Sequence, residues 1–156
     1  MNLRVGQGYD SHQLVDNIPL FIGGAEIPSP IGSKGHSDGD CLLHAIIDSL
    51  LGAFALGDIG TWFPDNDPNL KGIRSTELLK RVLESDQLPK YKINNIDLTL
   101  FLNKPKLSPH RETIVTSIAK LLQLESNRIN LKAKTLEGMQ VSNLIAASST
   151  CLIEIL

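Results

Sequence analysis

Side chains at Leu3, Val5, Gln7 and Tyr9 fall on one side of an extended backbone, and this alternation predicts a strand over residues 3–9. Residues 18–27 form a second extended stretch, broken at Gly23-Gly24, which predicts a hairpin. Pro28, Pro30, Gly32 and Gly35 then mark a loop. From Ser37 or Asp38 to Leu56 the pattern turns helical, and Gly57 is placed to end that helix. Residues 57–72 read as irregular, with Pro64 and Pro68 set among acids. A helix capped by Ser75 follows, carrying Leu78, Leu79, Val82 and Leu83. Strand alternation returns at Ile96, Leu98, Leu100 and Leu102. Ser108-Pro109 is a cap and first-turn pair for a helix running through Leu122. Residues 129–135 alternate again, and the apolar tail from Leu144 predicts a last strand. There is no repeat, low-complexity segment or linker, so residues 1–156 read as one domain of α/β or α+β class.

Composition narrows the picture. Apolar residues make up 42% and charged residues 21%, as in a globular protein with a real core. The net charge is −2 and no long run of Lys or Arg exists, which argues against a nucleic-acid partner. An anionic substrate would therefore need local attraction from a metal, a few lysines or a helix N-terminus. Cys41 and Cys151 sit in apolar runs and read as buried hydrophobes in a reducing compartment. The N-terminus has no apolar signal core, and no stretch approaches the roughly 20 apolar residues of a membrane helix. The expectation is a cytoplasmic protein with no membrane contact.

The helix ending near Leu56 carries the candidate chemistry. Its strongly polar residues from Asp40 onward are Asp40, His44, Asp48 and Ser49, and almost everything else is apolar. Asp40, His44 and Asp48 are spaced i, i+4, i+8 and form one stripe. A solvated helix face would be wider and richer in Lys and Glu, so a narrow stripe of acids and one His points to a cleft or a metal site. Asp10 and His12, two apart at the end of a predicted strand, share a face if the strand continues. With His44 they supply two imidazoles and a carboxylate, the donor set of a catalytic zinc with an open fourth position. Asp48 or Asp40 would then orient a ligating His from behind. His36-Ser37-Asp38-Gly39-Asp40 stands at the helix start, where backbone N–H groups favour an anion, although Ser37 and Asp38 also suit a capping role. The acids of Gly57-Asp58-Ile59-Gly60 and Phe63-Pro64-Asp65-Asn66-Asp67 serve equally well as turn formers or as site residues.

Taken together and in order, these segments resemble the methylerythritol cyclodiphosphate synthases. The resemblance runs through Gly8-Tyr9-Asp10-Ser11-His12, His36-Ser37-Asp38-Gly39-Asp40, His44-Ala45, Asp48, Leu51-Gly52-Ala53, Leu56-Gly57-Asp58-Ile59-Gly60 and Phe63-Pro64-Asp65. It continues through Asn95-Ile96-Asp97-Leu98-Thr99, Lys104-Pro105-Lys106 and Lys132-Ala133-Lys134-Thr135-Leu136-Glu137. It implies a compact α/β domain with helices on one side of a mixed sheet, assembled as a homotrimer with active sites between subunits. The implied reaction closes 4-diphosphocytidyl-2-C-methyl-D-erythritol 2-phosphate into a cyclic diphosphate and expels CMP.

By resemblance, Asp10, His12 and His44 hold Zn2+, and Glu137 holds Mg2+ or Mn2+ on the substrate diphosphate. His36 and Ser37 belong to a loop reaching the methylerythritol phosphate, and Asp58, Ile59 and Gly60 grip the erythritol. Thr135 stands near the transferred phosphoryl group, and His36 and Thr135 are the expected catalytic residues. Leu102, Asn103, Lys104, Pro105, Lys106, Leu107 and Ser108 of a neighbouring subunit make the cytidine pocket. Ser11, Phe63, Pro64, Asp65, Asn66, Asp67, Lys134 and Leu136 complete the expected substrate contacts. A zinc phosphoesterase that activates water on the same triad is the rival reading, and a non-catalytic ligand-binding relative is another.

The chain departs from the family pattern after Glu137, where Gly138-Met139-Gln140-Val141-Ser142-Asn143-Leu144 replaces a longer glycine-rich segment with Phe, Arg and Glu. Lys134 stands where a threonine is common. No arginine follows Arg128, and Leu144 falls near an arginine that the family places at the mouth of an apolar channel on the threefold axis. Weak or absent binding of isoprenoid diphosphates is the expectation.

Overall fold

The alternation that starts at Leu3 persists well past Tyr9. Strand β1 spans Asn2–Asp16 in the computed structural model, which describes residues 2–137 and 143–156. The departure at 138–144 therefore lies outside the described residues except for Asn143 and Leu144. Strands β2 (Leu20–Ile22) and β3 (Ala25–Ile27) form the expected hairpin. Its turn needs two left-handed residues, and Gly23 and Gly24 supply them at φ 62° and 84°. The presumed loop that follows contains strand β4 (Ile31–Ser33), paired antiparallel with the end of β1. Three residues, one of them a glycine, are too few for alternation to show in the sequence.

Helix α1 is Cys41–Ala53, shorter at both ends than the hydrophobic pattern implies. It begins late because Gly39 adopts φ 72° and Asp40 becomes the cap, accepting the Leu43 N–H at 3.0 Å. It ends early at Phe54, followed by Ala55 in the left-handed region at φ 57°, so Gly57 is not its terminator. A short helix α2 (Ile59–Trp62) and a 3-10 turn (Pro68–Leu70) interrupt the irregular stretch. Helix α3 is Ser75–Leu83, with Arg74 rather than Ser75 at the cap position. Strand β5 (Tyr91–Leu102), helix α4 (Arg111–Leu122) behind a 3-10 turn at Ser108–His110, strand β6 (Ile129–Lys134) and strand β7 (Leu144–Ile155) complete the chain.

The five-stranded sheet runs β4-β1-β7-β5-β6 and is mixed. Among the described residues only β5 and β6 are parallel, joined through α4 as a parallel pair requires. Helix α1 is buried nearly all round and lies directly on β1. The contact is possible because Gly6 and Gly8 have no side chains: a Cβ there would stand 1.8 Å from the Ser49 carbonyl oxygen and 2.0 Å from that of Ala45. On the opposite face of β1, Leu3, Val5 and Tyr9 are 45%, 66% and 58% exposed. Helices thus cover one face of the sheet and leave apolar residues on the other. No helix of the described residues is long and apolar enough to cross a membrane.

Candidate metal centre

Period-two geometry places Asp10 and His12 on the face of β1 that carries Gly6 and Gly8, beneath α1. One turn beyond its cap, α1 brings His44 down to meet them, and His44 is only 8% exposed. Asp10 Oδ2 lies 2.8 Å from His12 Nε2 and 3.0 Å from His44 Nδ1. The two imidazole nitrogens are 3.2 Å apart. Ligand atoms arranged tetrahedrally around a zinc stand about 3.3 Å from one another, so this donor set has the size and chemistry to hold one. Among the described residues these three form the one cluster of metal-ligating side chains.

Burial opposes the charge on Asp10, but hydrogen bonds from His12 and His44 outweigh it and hold the carboxyl well below the usual range. Burial likewise disfavours the His12 cation, and the Asp10 carboxylate overcomes this and raises its pKa.

The far side of His44 is equally defined. Its Nε2 lies 2.9 Å from Ser75 Oγ and 3.1 Å from Ser37 Oγ. The Ser75 hydroxyl donates to Asp38 Oδ1, and Asp38 Oδ2 accepts from the Ser75 backbone N–H at 3.1 Å and from Arg74 Nε at 2.9 Å. Neither carboxylate expected to orient a ligating His does so. Asp40, fully buried, accepts N–H groups from Gly23, Gly24 and Leu43 and ties the hairpin to the start of α1. Burial pushes the Asp40 pKa up even so. Asp48 accepts the Ile59 N–H at 2.7 Å and fixes the start of α2. Spacing of i, i+4 puts both acids near His44, but unpaired backbone N–H groups at helix starts attract them more directly.

The triad opens into a cavity of about 290 Å3 that gathers His36, Ser37, Ile59, Gly60, Phe63 and Asp65 from the expected set. Leu70, Ile73 and Leu78 also line it and were not singled out from the sequence. His36 Nε2 is 3.0 Å from the Asp67 carbonyl oxygen, which links the two loops. Ser11 alternates to the opposite face of β1 and is exposed there, so its side chain does not face the cavity. Asp58 caps α2 through Thr61 rather than lining the cavity, and Pro64, Asn66 and Asp67 also stand outside the lining.

The remaining expected contacts form a second cluster. Asn103 Oδ1 accepts the Leu136 N–H at 2.8 Å, and the Thr135 hydroxyl donates to Glu137. Lys104, Lys106, Ser108, Lys134 and Thr135 are exposed, Pro105 is half-buried, and the side chains of Leu102, Leu107 and Leu136 are buried. Through the register His12–Ile145–Leu102 this cluster lies at the same end of the sheet as the triad, but toward the opposite edge. Three strand spacings separate β6 from β1, about 14 Å. Neither Leu102 to Ser108 nor Lys134 to Glu137 lines the triad's cavity.

Fold and site define a single α+β domain in which two imidazoles and one carboxylate, from His12, His44 and Asp10, form a triad able to hold a metal ion. Residues 3–154 match the model of the YgbB family, and the chain belongs to that family. A relative from Koribacter versatilis, 46% identical over 97% of this chain and 98% of its own, is named 2-C-methyl-D-erythritol 2,4-cyclodiphosphate synthase. One from Clostridium perfringens with the same name is 49% identical over 97% of this chain and 99% of its own. Among solved structures, a cyclodiphosphate synthase in a CDP-bound form superposes with a TM-score of 0.90 at 42% identity, covering 97% of this chain and all of its own (100%). The bifunctional IspDF from Campylobacter jejuni gives a TM-score of 0.92 at 35% identity, with 99% of this chain matching 43% of that longer one.

Proposed function

We propose that this chain cyclises 4-diphosphocytidyl-2-C-methyl-D-erythritol 2-phosphate to 2-C-methyl-D-erythritol 2,4-cyclodiphosphate and releases CMP, as a metal-dependent phosphorus–oxygen lyase of isoprenoid precursor synthesis. The observation that carries this is the Asp10–His12–His44 cluster opening into a cavity bordered by His36, Ser37, Ile59 and Gly60 in a YgbB-family chain. An oxygen of the 2-phosphate attacks the diphosphate phosphorus nearest the methylerythritol. The new P–O bond forms as the bond to CMP breaks, and CMP leaves with the electron pair. The attacking phosphate is already an anion, so no strong general base is needed, and positioning with charge neutralisation dominates.

Asp10, His12 and His44 would hold Zn2+, and Glu137 would hold Mg2+ or Mn2+. When bound, these cations supply Lewis-acid neutralisation of phosphate charge. His36 and Ser37 bind the methylerythritol phosphate, and the segment from Asp58 to Gly60, kept in place by Asp48, holds the erythritol hydroxyls. Phe63 and Asp65 wall the cavity. Thr135 and Glu137 handle the diphosphate, and Leu102 to Ser108 take up the cytidine largely through backbone groups. Because these two halves lie toward opposite edges of one sheet, a complete site needs a neighbouring copy. The exposed Leu3, Val5 and Tyr9 offer it an apolar face, in keeping with a homotrimer in the bacterial cytoplasm.

Phosphorus NMR of substrate incubated with zinc- and magnesium-loaded protein tests the reaction. A cyclic diphosphate and free CMP are expected; a linear phosphate product would establish the phosphoesterase reading instead. His44→Ala is expected to lose zinc and CMP release while keeping its circular dichroism, and full activity in that variant would refute the metal assignment.

A further inference from the structure

We infer that Ser75 and Asp38 are positioning residues of the metal centre, acting through a hydrogen-bonded chain that fixes which nitrogen of His44 faces the metal. This rests on the reading of Asp10, His12 and His44 as zinc ligands. An imidazole binds a metal through an unprotonated nitrogen, and His44 presents Nδ1 to Asp10 and His12. Its proton must then reside on Nε2. The Asp10 side does not enforce that choice: without a metal its carboxylate accepts from Nδ1 instead.

The far side does. Ser75 has one hydroxyl proton and two acceptors within reach, His44 Nε2 and Asp38 Oδ1. The Asp38 carboxylate faces the Arg74 guanidinium at 2.9 Å and accepts two backbone N–H groups, from Ser75 at 3.1 Å and from Asp40 at 3.2 Å. Facing that cation and those donors it can only accept, so the Ser75 proton points at Asp38. The Ser75 oxygen then has lone pairs alone to offer His44, and Nε2 must donate. The order is Arg74, Asp38, Ser75, His44, with every proton placed by its neighbour.

Burial makes the arrangement persistent. Ser75 is fully buried and the Asp38 side chain is 5% exposed, so little water competes. The outer end is anchored as well: Arg74 lies 3.9 Å from the centre of the Phe21 ring and donates to the Gly24 carbonyl at 3.2 Å. Ser37 also approaches Nε2, at 3.1 Å, but no carboxylate claims its proton and its oxygen accepts only a 3.3 Å bond from Gly39. Ser37 is therefore able to turn toward a substrate, whereas Ser75 is committed.

Zinc affinity measured by competition with a chromogenic chelator tests this, using intact protein, Ser75→Ala, Asp38→Asn and the double variant. Losing an outer partner of a metal-bound His lowers affinity about 10- to 100-fold. Each single variant is expected to fall in that range. The double should be no weaker than the weaker single, because both changes cut one chain. In cobalt-loaded protein, the visible absorption bands should shift in the same variants as the His44 ring loses its fixed orientation. Thermal unfolding without metal separates this from general damage. If Ser75→Ala does not fold, Asp38→Asn, nearly equal in volume, carries the comparison. Tight zinc binding by the unaltered protein with equal affinity in both variants would overturn the inference alone, as would losses that add in full. An unaltered protein that binds no zinc would overturn the metal reading and this inference with it.

Discussion

In the absence of metal, Asp10 and His12 form an ion pair whose two halves titrate in opposite directions. The His12 pKa is raised above its ordinary 6.5, so its contribution to stability is complete below that pH and fades as pH climbs through the raised value. The Asp10 pKa is lowered from 3.8, so its contribution is present above that pH and is lost only in stronger acid. Chelator-treated protein should therefore lose melting temperature as pH rises above 6.5, and Asp10→Asn should flatten that slope. A metal-free melting temperature that stays level or climbs over this range, relative to Asp10→Asn, would contradict the pairing. At this scale the sequence was most legible where chemistry and period agree. Asp10, His12 and His44 stand out because a polar stripe in an apolar helix and an Asp-x-His on a strand have few structural uses. Ser75 and Asp38 were read as capping residues because their partners come from separate elements, and no local pattern announces a contact spanning 37 positions. Asp40 and Asp48 were assigned to His44 on spacing alone, and spacing gives proximity without direction.

Among the elements, the C-terminus of α1 holds the clearest energetic opportunity. The Leu56 N–H bonds the Leu51 carbonyl at 3.0 Å and the Ala55 N–H bonds that of Gly52 at 3.1 Å. This is the paired bonding that closes a helix with one left-handed residue, a place where glycine is usual and Ala55 stands instead. A side chain there is strained against its own backbone, so Ala55→Gly should stabilise the protein by about 1 kcal/mol. Denaturant unfolding would show a raised midpoint with an unchanged slope; a lower midpoint would mean the strain is absent. Long elements were legible because they repeat their period several times: β1, α1, β5, α4 and β7 all occur where the pattern put them, with shifted ends. Strand β4 and helix α2 span three and four residues, less than two repeats of their own periods. Backbone ties from elsewhere create them, such as Asp48 holding Ile59, and a local window does not contain those ties.

For the whole molecule, the uncovered sheet face is the feature most in need of a partner. Its exposed Leu3, Val5 and Tyr9 would leave apolar surface in water. Val5→Lys should turn the assembly into single copies in analytical ultracentrifugation. It should abolish CMP release while zinc stays bound, because Val5 faces away from the triad. A fully active single copy would remove the need for a neighbour. Strand order was not legible in the sequence. β7, last in the chain, slots between β1 and β5, and that choice is made by long-range antiparallel pairing rather than by anything near Leu144. The mixed class was readable from helices interleaved with strands, whereas the one-sided helix layer was implied by the family resemblance alone.

The division of the triad and the Thr135–Glu137 cluster between opposite edges of one sheet has a genetic corollary. Two defective alleles should rescue one another. A His44→Ala copy still carries an intact Glu137, and a Glu137→Ala copy still carries intact metal ligands. Co-expressed, they assemble at random, and roughly a quarter of the head-to-tail junctions unite the two sound halves. Cells depending on either allele alone would fail, while cells carrying both would regain part of their CMP-releasing activity. The same two lesions placed in one gene would never recover, whatever the dose.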